Sequence, residues 1–480
     1  MNKIRTRFAP SPTGLLHIGS LRTALYAYLF AKKNGGDFIL RIEDTDQKRN
    51  VPGGVKYLME TLKKFNLNWD KDPYIQSEHL EVYKKYAEQM VASGDAYYCF
   101  CDQERLDESR KKQVAEKKAP MYDQLCRRNS TPEEIKKNME NRCPYTIRLK
   151  VPENRVIVFD DVIRGKVRIE SSNIDDQVLL KSDGFPTYHL ANVVDDYLMK
   201  ITHVIRGEEW LPSTPKHVLI YEALNWESPK FVHLSLLLNA DKSKLSKRQG
   251  DVAVEDYLAK GYLEEALLNF VALIGWNPGQ GSTQEVFSLQ ELIKYFELEK
   301  VHKAGAVFDP KKLDWINSQY IKKLSIDELY QKAIKFLEQK EFFQKAPTEK
   351  KSEEYIKKIL QIEQDRLENL FSVGESSQFF FQDLEYDKNL LAWKNMSGEE
   401  IKNSLEKAQK ILEEVSGLEW RKDSLEKIMM EKAGAQRGEL LWPLRVALTG
   451  EKKSPSPFEV VWVLGKEESL KRLEAAISRL

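Results

Sequence analysis

The chain of 480 residues is longer than one hydrophobic core usually supports, so we expect several domains. Its 75 basic and 74 acidic side chains leave a net charge of +1, so any surface for a polyanionic partner has to be local. Apolar runs shorter than the roughly 20 residues of a membrane helix, and only four cysteines, predict a cytoplasmic protein without membrane attachment or a disulfide framework.

The N-terminal segment predicts a β-α-β unit. A strand is predicted at residues 4–8, and a turn rich in proline follows at 10–14. In the next segment Leu21, Leu25 and Leu29 recur at helical spacing, and a second strand is predicted at 38–42. Such a unit favours a parallel sheet with ligands at the ends of its strands.

Later segments extend this sheet and interrupt it. Residues 201–205 and 231–238 are apolar and predict further strands of the same sheet. Between the two parts, residues 99–118 are strongly polar, and short alternating segments at 148–169 predict antiparallel strands. An inserted domain therefore divides the sheet.

From residue 324 onward the pattern changes to amphipathic helices. Ser325 and Glu328 have the spacing of a capping box, and apolar residues follow it at the helical period. Ser397 and Glu400 repeat this arrangement before another helix. The C-terminal third is therefore predicted to be all-helical.

The first candidate for chemistry is His17-Ile18-Gly19-Ser20, at the predicted start of the first helix. Backbone N–H groups and the helix dipole favour phosphate there, an imidazole can donate to a phosphate oxygen, and glycine lets a base or ribose approach the backbone. By itself the tripeptide His-Ile-Gly is more often an ordinary helix start than a nucleotide-binding site. Neither the P-loop pattern nor Gly-x-Gly-x-x-Gly occurs here.

The second candidate is the basic segment 242–248, which contains Lys244, Ser246 and Lys247. A lone cluster of this kind is most simply a solvated loop. Alternatively, its ammonium groups stabilise the charge that develops as pyrophosphate leaves a triphosphate.

Taken together, the two candidates resemble a known pair of signatures. His17-Ile18-Gly19-Ser20 is similar to the His-Ile-Gly-His signature of class I aminoacyl-tRNA synthetases, and residues 244–248 to their Lys-Met-Ser-Lys-Ser loop. Ser20 and Arg248 depart from those patterns, but His17, Gly19 and Lys247 are intact. Further segments resemble the glutamyl-tRNA synthetases: 7–14 (RFAPSPTG), 41–46 (RIEDTD), 183–196 (DGFPTYHLANVVDD), 206–210 (RGEEW), 443–450 (PLRVALTG) and 464–468 (LGKEE).

The resemblance implies ATP-dependent ligation of L-glutamate to tRNA(Glu) through glutamyl-adenylate, with AMP and diphosphate as products. It also implies Mg²⁺ at the leaving group, attack by the terminal 2′-OH of the tRNA, adenylate formation that waits for tRNA, and a monomer. No residue has to act as a covalent nucleophile, because the α-carboxylate of glutamate attacks the α-phosphorus of ATP in line.

Site residues follow from chemistry and from resemblance. Glutamate presents two carboxylates and an ammonium group, which Arg7, Arg206 and Glu43 complement in charge. Which arginine takes the side-chain carboxylate stays open. By similarity, the glutamate pocket adds Ala9, Ser11, Tyr188 and Asn192. The ATP site is expected to comprise His17, Gly19, Ser20, Glu209, Leu237 and Lys247. Catalytic roles are expected for His17, Gly19, Lys244, Ser246 and Lys247.

The inserted region offers a candidate zinc site. Cys99 and Cys101 are followed by Cys126, and three thiolates suit zinc. Some relatives use a histidine two residues after the third cysteine, where this chain has Arg128. Tyr122 lies where related proteins use a tyrosinate as the fourth ligand, and Cys143 is a less well-placed substitute. Bound zinc and ordinary, partly buried thiols both stay open as interpretations.

We therefore predict an α/β multidomain protein. It has a divided, doubly wound, Rossmann-like catalytic domain with an α+β insertion and an all-helical C-terminal anticodon-binding region. The boundaries are 1–98 and 186–240 for the catalytic halves, 99–185 for the acceptor-stem insertion, 241–323 for a stem-contact domain with the lysine loop, and 324–480 for the helical region. This helical end disfavours glutaminyl enzymes, whose β-barrels it lacks, and short paralogues without the region. A form that also charges tRNA(Gln), and a tRNA-binding paralogue without activation, remain as alternatives.

Overall fold

The computed structural model describes residues 3–245, 252–279, 281–434 and 437–480. The chain folds into two units, one formed by residues 1–257 and 264–310 and the other by residues 258–263 and 311–480.

The first unit contains the strands and the helices that pack on them. The strands are β1 (Arg5–Phe8), β2 (Asp37–Ile42), β3 (Tyr74–Ile75), β4 (Ala96–Cys99), β5 (Thr146–Leu149), β6 (Val156–Asp161), β7 (Gly165–Glu170), β8 (Val178–Leu180), β9 (His203–Gly207), β10 (Lys230–Leu234), β11 (Leu237–Leu238) and β12 (Ala306–Val307). The helices are α1 (Ile18–Lys33), α2 (Gly54–Lys64), α3 (Leu80–Ser93), α4 (Gln103–Ala115), α5 (Leu125–Asn129), α6 (Pro132–Glu140), α7 (Tyr188–Leu198), α8 (Thr214–Ala223), α9 (Val254–Ala259), α10 (Glu264–Leu273) and α11 (Leu289–Tyr295).

A parallel sheet lies at the centre of the first unit. Strand β2 pairs in parallel with β1 and β3, and β10 pairs in parallel with β9 and β6. Strands β1 and β9 are neighbours, because the Thr202 N–H donates to the carbonyl oxygen of Arg5 at 2.9 Å. Strand order therefore reverses between β1 and β9, and the crevice beyond their carboxyl ends is where open α/β sheets bind ligands.

The predicted β-α-β unit is confirmed, but β9 begins two residues later than the apolar segment 201–205 suggested. Lys200 has a positive φ of 56°, which marks a turn, and Thr202 then bonds to β1 before β9 begins. The segment 231–238 is divided into β10, which lies in the predicted sheet, and β11, which pairs with β12 in a separate two-stranded sheet. The prediction that all of 231–238 extends the same sheet is therefore wrong for residues 237–238, because the apolar pattern does not specify the pairing partner.

The antiparallel strands β6 and β7 were predicted to lie in the inserted domain, but their hairpin lies at the edge of the parallel sheet. These strands are antiparallel, as predicted, yet β6 also pairs with β10 of the parallel sheet. Phe159 of β6 packs against Phe231 of β10, with ring centroids 5.8 Å apart. Strands β4, β5 and β8 form a separate antiparallel sheet. Alternating polarity predicted a half-buried strand here but could not identify its partner.

The second unit is helical in its described residues, which contain no strand. Its helices are α12 (Pro310–Ile321), α13 (Ile326–Leu337), α14 (Glu341–Lys345), α15 (Glu353–Glu363), α16 (Gly398–Glu414), α17 (Lys422–Ala433), α18 (Arg437–Thr449) and α19 (Pro457–Ile477). The predicted capping boxes at Ser325 and Ser397 are both present, and Leu329, Ala333 and Phe336 form the buried stripe of α13. Within the described ranges no helix has the length and apolar character needed to cross a membrane.

Candidate active site

The first signature begins α1 at the carboxyl end of β1. His17 is the N-cap, and its Nδ1 accepts a hydrogen bond from the Gly19 N–H at 2.9 Å. A neutral ring then carries its proton on Nε2, the nitrogen that can donate to a ligand. A Cβ at Gly19 would lie 3.1 Å from His17 Nδ1 and 3.8 Å from Leu237 Cδ1. A larger residue at this position would crowd the capping imidazole, and Leu237 faces Gly19 from the other side.

The first two residues of the second signature are bonded to β11, and the segment that follows the loop is bonded to the first signature. The Leu245 N–H donates to the Leu237 carbonyl oxygen at 2.9 Å, and Lys244 forms an antiparallel bridge with Leu238. Beyond the loop, the Val252 carbonyl oxygen accepts the Ile18 N–H at 2.8 Å. Ser246, Lys247 and Arg248 lie outside the described residues. The two sides of the lysine loop thus approach His17 and Leu237.

One face of α7 brings together the predicted glutamate residues. Asn192 and Asp196 are four residues apart and point in the same direction. Arg7 donates from Nε to Asp196 Oδ1 at 2.9 Å and from Nη2 to Asn192 Oδ1 at 3.1 Å. Arg41 donates to the same two oxygens at 2.6 and 2.9 Å, and from Nη2 to Glu43 Oε1 at 2.9 Å. Glu43 therefore pairs with Arg41, and Arg7 pairs with Asp196.

Burial and the two arginines set the charges of these carboxylates. Burial alone would raise the pKa of Asp196, but Arg41 and Arg7 outweigh it and hold that pKa below its ordinary value. Burial raises the pKa of Glu43, and Arg41 only partly opposes the shift. Asp195 has its pKa raised to about 6 by burial, although Arg41 lies 3.9 Å away. Arg7 and Arg41 thus already have anionic partners.

Arg206, at the carboxyl end of β9, is buried among neutral partners. Its Nε donates to His233 Nε2 at 3.0 Å and its Nη2 to Thr214 Oγ1 at 2.8 Å. Its Nη1 donates to the Tyr188 hydroxyl at 3.0 Å and to His217 Nδ1 at 3.1 Å. Among the residues that the structure describes, no carboxylate forms an ion pair with Arg206.

Burial keeps the surrounding imidazoles neutral. It lowers the pKa of His217 and of His233, and the positive charge of Arg206 acts in the same direction at both. Burial, and then the positive charges of Lys216 and Arg206, lower the pKa of His189, whose Nδ1 lies 3.2 Å from His217 Nε2, to about 3. Arg206 is therefore held by acceptors that add no negative charge.

The remaining predicted residues lie near the strand ends. Ala9 and exposed Ser11 flank Pro10, whose carbonyl oxygen accepts the Glu43 N–H at 3.0 Å. Ser20 lies in the first turn of α1. Glu209 folds back over the end of β9, and its carboxylate occupies the space that a Cβ at Gly207 would need.

The predicted zinc residues form a second cluster at the end of β4. The sulfur atoms of Cys99, Cys101 and Cys126 lie within 4.8 Å of one another. The Tyr122 hydroxyl is 3.4 Å from the first two sulfurs and accepts the Cys126 N–H at 2.9 Å. Cys143 is outside this group and contacts Asn138. Zn–S bonds of about 2.3 Å place tetrahedral sulfurs roughly 3.8 Å apart, so the thiols fit a zinc ion.

Residues 3–315 match the family model of the catalytic domain of tRNA synthetases class I (E and Q), and residues 328–477 match an anticodon binding domain. Glutamate–tRNA ligases of Prosthecochloris aestuarii and Alkaliphilus metalliredigens are 47% and 44% identical; the alignments cover 100% and 99% of this chain and 98% and 99% of those proteins. A crystal structure of the Elizabethkingia meningosepticum glutamate tRNA ligase in complex with its amino acid is 39% identical over the full length of both chains, with a TM-score of 0.87.

The chain belongs to the class I glutamate–tRNA ligase family. The predicted fold, a class I catalytic domain with a Rossmann-like parallel sheet and a helical anticodon-binding region, is thereby confirmed.

Several side chains in the site of this glutamate–tRNA ligase family member were not predicted from the sequence. Arg41 and Asp196 lie inside segments that carried the resemblance, and the four-residue step from Asn192 to Asp196 on one helix was a usable signal. His233 and Asp161 gave no such signal, because 72 residues separate them along the chain.

Proposed function

We infer that this chain activates L-glutamate with ATP and transfers the glutamyl group to tRNA(Glu), giving glutamyl-tRNA, AMP and diphosphate. Membership of the ligase family supports the reaction. The observation that best supports the substrate is Arg206, a guanidinium that is 5% exposed and has only neutral partners.

The charge balance of the pocket favours an anionic ligand at Arg206. A buried cation is costly unless an anion compensates it. Arg7 has Asp196, but Arg206 has no carboxylate partner in the described chain. We therefore assign the side-chain carboxylate of glutamate to Arg206. Glutamine would present amide N–H groups to a guanidinium that can only donate, so the same arrangement disfavours it.

The other pocket residues complete the recognition of glutamate in this proposal. Glu43 pairs with the substrate ammonium group, and Tyr188 and Asn192 hydrogen-bond the amino acid. Arg7 orients Asn192 and Asp196 and offers its remaining N–H groups to the α-carboxylate. Ala9 and Ser11 border the pocket. The α-carboxylate then faces the α-phosphorus of ATP for in-line attack.

On the nucleotide side, the Nε2–H of His17 donates to a phosphate oxygen, while Gly19 and Leu237 let the adenosine lie against the backbone. Ser20 and Glu209 complete this subsite. Lys244, Ser246 and Lys247 stabilise the departing pyrophosphate. Mg²⁺ bound to the ATP phosphates would add neutralising charge at the same groups.

We also propose that Cys99, Cys101, Cys126 and Tyr122 hold one zinc ion. The fit of three sulfurs to one tetrahedral ion supports this zinc site.

We further propose that the protein is a monomer of the cytoplasm. Its proposed domain boundaries are 1–98, 99–185, 186–240, 241–323 and 324–480. Residues 324–480 bind the anticodon arm of the tRNA.

A charging assay with purified tRNA(Glu) and tRNA(Gln), using glutamate and glutamine in parallel, tests this function. We expect glutamyl-tRNA(Glu) and no glutaminyl product, and pyrophosphate exchange that requires cognate tRNA. Glutamylation of tRNA(Gln) would identify the form that charges both tRNAs. Absence of glutamylation of either tRNA would contradict the proposal.

A further inference from the structure

Asp161, His233 and Arg206 form a buried line of hydrogen bonds that connects the end of β6 to the carboxylate pocket. Asp161 Oδ2 lies 2.7 Å from His233 Nδ1, and His233 Nε2 lies 3.0 Å from Arg206 Nε. The Asp161 and His233 side chains are fully buried.

The chemistry of the guanidinium decides where the protons of this line lie. Arg206 Nε can only donate, so His233 Nε2 has to accept and carries no proton. The ring proton is therefore on Nδ1 and is donated to Asp161. The opposite tautomer would place two N–H groups against each other at 3.0 Å and leave the Thr214 hydroxyl, 3.1 Å from Nε2 and already an acceptor for Arg206, as the neighbour that could accept the Nε2 proton.

Asp161 is itself fixed by the backbone. Its Oδ1 accepts the N–H groups of Ile163 and Arg164 at 3.0 and 2.7 Å, and its Oδ2 accepts the His233 N–H at 3.1 Å. Burial opposes ionisation, but the hydrogen bond from His233 and the backbone N–H groups outweigh it and hold the pKa of Asp161 below its ordinary value. The carboxylate thus has one orientation and one charge state near neutral pH.

We propose that Asp161 and His233 are positioning residues that hold the Arg206 guanidinium in place for the substrate carboxylate without neutralising it. This inference rests on the proposed role of Arg206 in binding glutamate.

The imidazole explains why the arrangement differs from a direct ion pair. A carboxylate bonded to Arg206 would compete with the substrate carboxylate for the same charge. Neutral His233 accepts one N–H and leaves the charge of Arg206 unmatched, while Asp161 fixes the tautomer that makes His233 an acceptor.

Asp161→Asn tests the tautomer directly. The amide oxygen of asparagine stays with the Ile163 and Arg164 N–H groups, so its NH₂ replaces Oδ2; it then faces His233 Nδ1 and also displaces the hydrogen bond from the His233 backbone N–H. An NH₂ group there favours the His233 tautomer with its proton on Nε2, which opposes Arg206. We expect the KM for glutamate to rise about tenfold or more, with an unchanged KM for ATP and kcat within about twofold.

A pair of His233 variants tests the acceptor without relying on Asp161. His233→Gln can place its amide oxygen near the position of Nε2, whereas His233→Leu removes the acceptor. We expect His233→Leu to raise the KM for glutamate like Asp161→Asn, and His233→Gln to restore most of the loss. His203→Gln is the matched control, because His203 is a buried histidine of β9 that bonds to Thr202 away from the pocket. Its KM for glutamate should not change.

The outcomes separate this inference from the function on which it rests. Arg206→Gln should raise the KM for glutamate more than any of these variants. If it does, and both Asp161→Asn and His233→Leu keep the wild-type KM, the positioning role is wrong and the proposed pocket stands. If Arg206→Gln itself leaves the KM unchanged, the proposed role of Arg206 is wrong. Equal losses in His233→Gln and His233→Leu would indicate packing and overturn the inference. This His233 comparison decides the matter if Asp161→Asn does not fold.

Discussion

Arg7 and Arg206 occupy equivalent positions near the carboxyl ends of neighbouring strands, but their partners differ in charge. Arg7 bonds to the Asp196 carboxylate, whereas Arg206 bonds to two imidazoles, a phenol and a hydroxyl. A compensated arginine serves chiefly to hold the pocket together, while an uncompensated one attracts an anion from outside. Both residues are arginines, so the charge of the partners indicates whether a buried guanidinium binds a ligand or stabilises the pocket, whereas the residue type does not.

The largest expected effect is the loss of activity in Arg206→Gln, and its comparison with Arg7→Gln separates ligand binding from stabilisation of the pocket. Arg206→Gln should lower kcat/KM for glutamate by about a hundredfold to a thousandfold, because it removes the charged partner of a buried carboxylate. Its melting temperature should fall less than that of Arg7→Gln, since the four neutral groups lose hydrogen bonds but an uncompensated buried charge is removed with them. Arg7→Gln should lower both activity and melting temperature, because Asp196 then keeps only Arg41. Steady-state kinetics and thermal unfolding measure the two effects, and equal destabilisation by both variants would contradict the comparison.

Lys247 is a third cation, and its proposed role is to act on the leaving group. Lys247→Ala should lower the rate of adenylate formation about a hundredfold and weaken ATP binding much less, because the ammonium group acts as charge gathers on pyrophosphate. Transfer from preformed glutamyl-adenylate to tRNA should be affected less. Single-turnover kinetics separate the steps. A raised ATP dissociation constant with an unchanged activation rate would make Lys247 an anchor, and no change would identify the loop as solvated surface.

At the proposed zinc site the charges are reversed, since there the protein would supply anionic ligands to a cation. We expect about one zinc per chain by elemental analysis and about tenfold weaker zinc binding in Tyr122→Phe. Cys143→Ser is the control, because Cys143 lies outside the sulfur cluster. Folded, active protein without zinc would reject the site, whereas unchanged affinity in Tyr122→Phe would reject only the fourth ligand.

The sequence predicted the parts of this architecture that depend on local patterns. The capping boxes at Ser325 and Ser397, the β-α-β unit and the helix start at residues 17–20 all follow from neighbouring residues. The partners of Arg206 could not be predicted in the same way. His233 is 27 residues from Arg206, and its pairing depends on the parallel register of β9 and β10, which no local pattern specifies. Likewise, alternating polarity in β6 did not indicate that β10 is its neighbour.

Asp195 and Asp196 are adjacent carboxylates whose partners also differ. Their substitution should change the pH dependence of stability, which is the smallest of the expected effects. The pKa of Asp195 is raised to about 6, so between pH 4 and 6 the folded chain keeps a proton that the unfolded chain loses. Its contribution to stability therefore falls by about 1 kcal/mol from pH 5 to pH 7.5. Asparagine at this position can still accept from Gln76 and Tyr83 through one oxygen. Asp195→Asn should thus gain stability relative to the wild type as pH rises through 6.

Asp196 should behave in the opposite sense. Arg41 and Arg7 lower its pKa, so the unfolded chain binds the proton more readily and the stabilisation is present above about pH 4 and lost as pH falls through the lowered value. Asp196→Asn should therefore be less stable than the wild type throughout pH 5 to 7.5, with a nearly constant difference. Urea unfolding of both variants at several pH values measures this contrast. Parallel pH dependences for the two variants would show that proximity to the arginines does not distinguish these carboxylates.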